Sequence, residues 1–211
     1  SNMLEEMTDH EWELFSRAMI DISKTNLKEV VQKIPVAKTH TKMLDLGGSH
    51  GLYSIELCKR NPNLKSVIVD LPPVKIYADE CIAKNHAENN VSFMGCDFMK
   101  DELPKNSDII LGFNIIHGLN AAENEELAKK VYNALSPGGM YVILDQIKGI
   151  GGNSQMSKAT TSYMALNLLH QAGGKTYSKN EIDSFVKKMG FKNTELKKLN
   201  APGFGVVICH K

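Results

Sequence analysis

The run Asp45-Leu46-Gly47-Gly48-Ser49-His50-Gly51 joins a short apolar segment to a stretch with helical character. Glycines at such a junction let the chain turn tightly and let a ligand approach backbone without meeting a Cβ. The amides that open the following helix would receive a polar or anionic group. An acidic residue ahead of the glycines, Asp45, suits a ligand that also carries a cation. The glycine steps differ from the dinucleotide fingerprint, and no Gly-Lys-Ser/Thr follows as in a P-loop. A plain glycine turn is the alternative.

Two more carboxylates stand at comparable junctions. Asp70 closes Ser66-Val67-Ile68-Val69, where a carboxylate can accept both hydroxyls of a ribose. Asp97-Phe98 follows Val91-Ser92-Phe93-Met94-Gly95, and an acid beside a ring can hold an adenine there. Taken alone, Asp97 reads as a helix cap or loop residue. Together, Asp45, Asp70 and Asp97 fall at the carboxyl ends of adjacent strands, where open α/β sheets bind ligands. A lone histidine such as His117 is, by itself, more often structural than catalytic.

The elements that must position these residues follow from pattern. Thr8-Asp9-His10-Glu11 fits a capping box, and Trp12, Phe15, Met19 and Ile22 form one apolar stripe at helical spacing. A second short helix is expected over 26–34, stopping before Pro35. Strands are expected over 43–46, 66–70, 91–95, 108–113 and 141–145, alternating with helices over 51–59, 74–88 and 121–135. The last of these helices ends at Ser136-Pro137-Gly138-Gly139. The apolar runs are short and nearly continuous, as in parallel strands buried on both faces. The fold class is therefore α/β, a doubly wound sheet.

Beyond Asp145 the regularity breaks. A Gly-rich loop around Gly151-Gly152 precedes a helix over 155–170 and the pair Gly173-Gly174. A capped helix over 178–189 follows, then strands over 191–199 and 204–210 joined by Asn200-Ala201-Pro202-Gly203 as an antiparallel hairpin. One face of the 155–170 helix, with Met156, Met164, Leu166, Leu168 and Leu169, could line an apolar acceptor pocket. Met164 and Asn167 are the substrate-binding candidates, with ordinary core packing as the equal alternative.

Composition sets the outer bounds. The chain has 211 residues, 42% hydrophobic and 23% charged, which excludes wholesale disorder and suits one domain. Lys+Arg 25 against Asp+Glu 24 leaves +1, so a dedicated nucleic-acid binder is disfavoured. No apolar run has the length of a membrane span, and no signal peptide opens the chain. Cys58, Cys81, Cys96 and Cys209 show no CxxC or zinc spacing, so a reducing, cytoplasmic compartment and no metal are expected. Ser1-Asn2 ahead of Met3 is set aside as a tag remnant. Residues 1–37 read as a helical N-terminal extension and 38–211 as the binding domain.

Taken in order, these motifs resemble those of class I S-adenosylmethionine-dependent methyltransferases. The carriers are the 45–51 run, Val69-Asp70-Leu71-Pro72, Asp97-Phe98, Asn114-Ile115-Ile116-His117 and Ser136-Pro137-Gly138-Gly139. The Asp-Leu-Pro and the Ile-His narrow the likeness to the plant-type and bacterial small-molecule O-methyltransferases, the caffeate and acetylserotonin group. The resemblance covers about residues 15–211 and implies a Rossmann-like sheet. It implies that Asp45 and Gly47, Gly48, Ser49 and Gly51 hold the methionine end of S-adenosylmethionine. Asp70 with Leu71 would hold the ribose, Asp97 and Phe98 the adenine, and Asn114 would join the cofactor set. His117 would be the general base and Asp145 the acid that orients it. S-adenosylhomocysteine would be the product.

The chain departs from the family pattern at Ser49, at Gly118-Leu119 after the histidine, and at Thr176, where a second acid is expected. The family's N-terminal winged-helix dimerisation domain is not expected among these 211 residues, either because they are a fragment or because the natural protein is short. The leading expectation is a methyltransferase acting on a small hydroxylated, aromatic acceptor, with a homodimer as the partner expectation. The alternative is a catalytically weak S-adenosylmethionine-binding regulatory or dimerisation module. A nicotinamide oxidoreductase is disfavoured by the glycine spacing.

Overall fold

Thr8 opens the first helix, α1 (Asp9–Lys33), with the expected capping box. Its Oγ1 accepts from the Glu11 N–H at 3.3 Å, and Glu11 Oε2 accepts from the Thr8 N–H at 2.8 Å. The break expected before residue 26 does not occur. Ser23-Lys24-Thr25-Asn26 contains neither Pro nor Gly, so nothing interrupts the helix until Ile34-Pro35. The buried stripe is also displaced. Trp12, Ser16, Ser23, Val30 and Val31 face inward, while Phe15 is 41% and Ile22 55% exposed. Small serines bring the helix closer to its neighbours than the larger apolar residues would. The computed structural model describes residues 7–152 and 174–211, with Gln155, Lys158, Ala159, Ser162, Tyr163 and Leu166 between them.

The sheet is the expected one. β1 (Lys42–Leu46), β2 (Lys65–Asp70), β3 (Val91–Gly95), β4 (Ser107–Phe113) and β5 (Leu135–Lys148) pair in parallel in the order β3-β2-β1-β4-β5. A two-residue β6 (Tyr177–Ser178) lies parallel to the end of β5. The chain then adds β7 (Thr194–Lys198) and β8 (Phe204–His210). β8 runs antiparallel to β5 and fills the space between β5 and β7. Helices α2 (Leu52–Arg60), α3 (Lys75–Lys84), α4 (Ala121–Ala134) and α5 (Lys179–Lys188) complete the fold.

Two boundaries move for local reasons. α3 stops at Lys84 rather than near 88, because Asn85 Nδ2 donates to the Cys81 carbonyl at 2.9 Å and His86 turns left-handed. The glycine turn at 136–139 is absorbed into β5. Leu135 pairs with Ser107 and Met140 with Ile109, so the intervening residues bulge opposite Asp108.

Side chains alternate across the sheet into two cores. Val142, Leu144, Val206 and Ile208 join Ile55, Leu57 and the end of α1 on one face. Tyr141, Ile143, Val207 and Cys209 join Leu127, Val131 and Phe185 on the other. Each such side chain contributes about 1.5–3 kcal/mol on burial. Among the described residues no helix is long and apolar enough to cross a membrane. The parallel strands all end on one edge, and the strand order reverses between β1 and β4, where such sheets form a ligand crevice.

Candidate active site

The loop between β1 and α2 is shaped by close approach. A Cβ on Gly48 would lie 2.6 Å from Asp45 Cγ, and one on Gly51 2.3 Å from Ile68 Cδ1 with φ at +70°. Only glycine lets the chain pass over the Asp45 carboxyl and then open α2 from a left-handed turn. The loop is tied down at Gly47, whose N–H donates to the Val69 carbonyl at 2.8 Å. Ser49 is left-handed too, at φ 47, and its N–H donates to Asp70 Oδ2 at 2.8 Å.

Asp45 lies beneath this loop, 1% exposed. It accepts from Ser54 Oγ at 2.7 Å, and that hydroxyl also meets Ser66 Oγ at 2.8 Å. Burial, aided by the nearby Asp70 charge, pushes the Asp45 carboxyl up to about 7 despite the Ser54 bond. Asp70 is half-buried at the end of β2. Burial raises it to about 6, against the pull of the Leu71 and Ser49 amides. Asp45 and Asp70 thus lie under and beside one loop, both holding a proton more readily than free carboxyls do.

Asp97 stands at the end of β3. Burial alone would raise its carboxyl, but Lys100 at 3.1 Å and the Met99 N–H at 3.0 Å hold it below its ordinary value. Gly47 packs near Phe98 and Ile115. A Cβ there would sit 3.3 Å from Ile115 Cδ1 and 3.7 Å from Phe98 Cε1. The loop, the ring and the segment after β4 therefore enclose one face of the crevice. Asn114 begins that segment with φ 56, its N–H donating to the Leu144 carbonyl at 2.7 Å. Leu71 packs with Trp12, Val74 and Tyr77.

His117 sits on a short 3-10 turn (Ile116–Gly118) after β4. Its Nδ1–H donates to Asp145 Oδ1 at 2.8 Å, and its backbone N–H approaches Asp145 Oδ2 at 3.3 Å. Asp145 is fully buried, whereas the His117 side chain is 21% exposed. With Nδ1 committed to the carboxylate, Nε2 keeps a lone pair to accept a proton. Burial alone would lower the ring, but the Asp145 hydrogen bond and charge carry it above its ordinary value. Thr176 is half-buried, and the preceding Lys175 N–H donates to the His117 carbonyl at 2.9 Å. Met164 and Asn167 lie outside the described residues.

One feature of the site escaped the sequence reading. His50, 3% exposed, bridges the glycine loop to α1. Its Nδ1 accepts from the Leu52 N–H at 3.1 Å and its Nε2–H donates to Ser23 Oγ at 2.9 Å. Burial pushes the ring down to about 4, so it stays neutral. Beside it, Tyr53 OH donates to Asn26 Oδ1 at 2.7 Å. The signal for this seam was the pair of serines, Ser16 and Ser23, two turns apart on an otherwise apolar helix face.

A family model for the O-methyltransferase domain matches residues 3–192. The 3-hydroxy-5-methyl-1-naphthoate 3-O-methyltransferase of Streptomyces sahachiroi is 25% identical over 207 residues, 98% of this chain and 58% of that protein. Acetylserotonin O-methyltransferase of Gallus gallus is 27% identical over 158 residues, 75% of this chain and 44% of that protein. The chain thus spans about half the length of these curated relatives. Human N-acetylserotonin methyltransferase in complex with S-adenosylmethionine shares the fold with a TM-score of 0.81 at 21% identity, over 97% of this chain and 56% of that one. Mitomycin 7-O-methyltransferase does so with a TM-score of 0.88 at 21% identity, over 99% and 60%. The family match runs through the glycine loop, Asp70 and the His117–Asp145 pair, and the chain belongs to the S-adenosylmethionine-dependent O-methyltransferase domain family.

Proposed function

We propose that this chain carries the catalytic site of an O-methyltransferase for a small, hydroxylated, aromatic acceptor, with His117 as general base and Asp145 as the residue that orients it. The observation that carries this reading is the His117–Asp145 pair at 2.8 Å, on the same sheet edge as the glycine loop and Asp70. The residues present fit S-adenosylmethionine. Gly48 keeps the space over Asp45 clear, Asp70 offers a half-buried carboxylate, and Ser49 Oγ is buried with no hydrogen-bond partner among the described residues.

In this reading Gly47, Gly48, Ser49 and Gly51 hold the methionine end. Asp45 acts from beneath, through the potential of its carboxyl. Asp70 and Leu71 hold the ribose, Asp97 and Phe98 the adenine, and Asn114 shapes the wall between them. When bound, the cofactor supplies a methyl group on a sulfonium, already activated for transfer.

The chain's own work is alignment and proton removal. Holding the acceptor oxygen in line can supply about 7–11 kcal/mol of the barrier. A phenol near pKa 10 and an imidazole near 6.5 differ by about 3.5 units, roughly 4.8 kcal/mol against full prior ionisation. Asp145 narrows that gap by raising His117, so that Nε2 would take the acceptor's proton. Both named curated relatives, the naphthoate and acetylserotonin enzymes, methylate oxygen according to their names. The free cysteines among the described residues, all buried, support a cytoplasmic site of action.

The test is calorimetric titration with S-adenosylhomocysteine, with NADH as control, followed by a panel of hydroxylated aromatics. Binding of the first ligand alone and methylation of a ring hydroxyl are expected. His117→Ala should then bind cofactor normally and lose most turnover. Absence of binding, or a product methylated at carbon, would overturn the reading.

A further inference from the structure

The turn that carries His117 is gripped from two sides by residues outside the reacting set. Asn124 lies in the first turn of α4 and is 1% exposed. Its Nδ2 group donates to the carbonyls of Ile116 at 3.0 Å, Leu119 at 3.2 Å and Asn120 at 3.1 Å. Two amide hydrogens thus serve three carbonyls that bracket His117 in sequence.

The second grip comes from the chain returning at residues 174–177. Lys175 N–H takes the His117 carbonyl at 2.9 Å, and Tyr177 OH takes that of Leu119 at 2.6 Å. Gly174 is buried against the same turn. A Cβ there would lie 2.1 Å from the His117 carbonyl oxygen and 3.5 Å from Gly118 Cα. That oxygen belongs to backbone, which cannot swing aside as a flexible side chain would.

We propose that Asn124 and Gly174 are positioning residues that together set the His117 imidazole against Asp145, Asn124 by hydrogen bonds and Gly174 by close approach. The geometry explains why a turn needs such bracing. Asp145 receives both the ring and the backbone N–H of His117, so a rotation of the turn disturbs both bonds at once. The inference rests on His117 being the base. The turn's remaining internal bonds are two, Gly118 N–H to the Ile115 carbonyl at 3.0 Å and Leu119 N–H to Ile116 at 3.3 Å.

Two variants test the grips separately. Asn124→Leu keeps the approximate shape and removes the hydrogens, and Gly174→Ala adds the one clashing carbon. The ring is read by nitrogen and proton NMR of His117 in the free enzyme, which needs no acceptor. Asp145 is the one charged group that raises the ring, so losing register with it lowers the titration midpoint. The expected result in each folded variant is a midpoint lower by about half a unit or more, with the Nδ1 proton shifted upfield.

S-adenosylhomocysteine affinity should stay within about twofold, while kcat on any acceptor found falls on the order of tenfold and KM changes little. An unchanged His117 midpoint and Nδ1 shift in a folded variant would overturn the assignment of that residue. The two variants act by different means, so a failure of one to fold leaves the other decisive. His117→Ala separates this inference from the functional reading. Undiminished turnover there removes the base while leaving the NMR result standing, and lost turnover with unmoved variant spectra removes only the grips.

Discussion

The Ser49 N–H donates to Asp70 Oδ2 at 2.8 Å, so the carboxylate that ends β2 fastens the turn that follows β1. One residue therefore shapes the loop and offers the second carboxylate oxygen, which meets the Leu71 N–H at 2.7 Å, to its own strand end. Asp70→Ala removes both. The expected loss is roughly 1.5–3 kcal/mol for a hydrogen bond to a charged group, or about ten- to a hundredfold weaker S-adenosylhomocysteine binding by calorimetry. Undiminished affinity would detach Asp70 from the cofactor site.

The Asp145 contact predicts the pH dependence of turnover. His117 must be unprotonated to accept a proton, and its folded value lies above 6.5. Activity should therefore rise with pH through a midpoint above 6.5. In Asp145→Asn that limb should move down, because burial then acts without the carboxylate. The same raised value makes a stability contribution that is present below 6.5 and fades as pH climbs through the folded midpoint. A kcat/KM profile unchanged by the substitution would separate Asp145 from the base.

Asp45 adds a second loss of stability with rising pH. Its carboxyl is raised to about 7 from 3.8, so between those values the folded protein holds a proton that the unfolded chain has released. Stability contributed by Asp45 is lost as pH rises across that window. Asp45→Asn does not titrate. Its stability relative to wild type should improve from pH 4 to pH 7 by on the order of a few kcal/mol. Urea unfolding at several pH values reads this directly, and a pH-independent difference would mean that Asp45 ionises freely.

His50 should matter out of proportion to its distance from the chemistry. Ser23→Ala removes one neutral hydrogen bond and should cost about 1 kcal/mol of stability. His50→Ala also opens a cavity and frees the Leu52 amide, so a larger loss of about 2–4 kcal/mol is expected, with weaker cofactor binding. Thermal shift with and without S-adenosylhomocysteine would check both. Equal, small effects from the two substitutions would show that α1 does not brace the loop.

Much of this architecture was legible because its signals are local. Caps at Thr8 and Ser178 and the β-branched runs before Asp70 and in β5 are read within a few residues. The glycine loop was legible for the same reason. The stripe on α1 was not, because burial there is decided by His50, 27 positions away from Ser23. Phe15 and Ile22 look like core residues until Ser23 is seen to meet His50 of the loop. The role of Asn124 was hidden similarly, since an asparagine in a helix's first turn reads as solvent-facing.

The insertion of β8 between β5 and β7 has a consequence for biosynthesis. Every residue of β5 from Met140 to Gln146 takes its neighbour from residues 204–210, which leave the ribosome well after β5 itself. Until they emerge, an apolar strand stands with one edge unpaired, and the sheet cannot close by growing outward in order. A nascent chain in that state is a template for pairing with another chain. Loss of even a few residues from β8 would then leave that edge open for good, so such truncations should go to aggregates rather than to a slightly weakened fold.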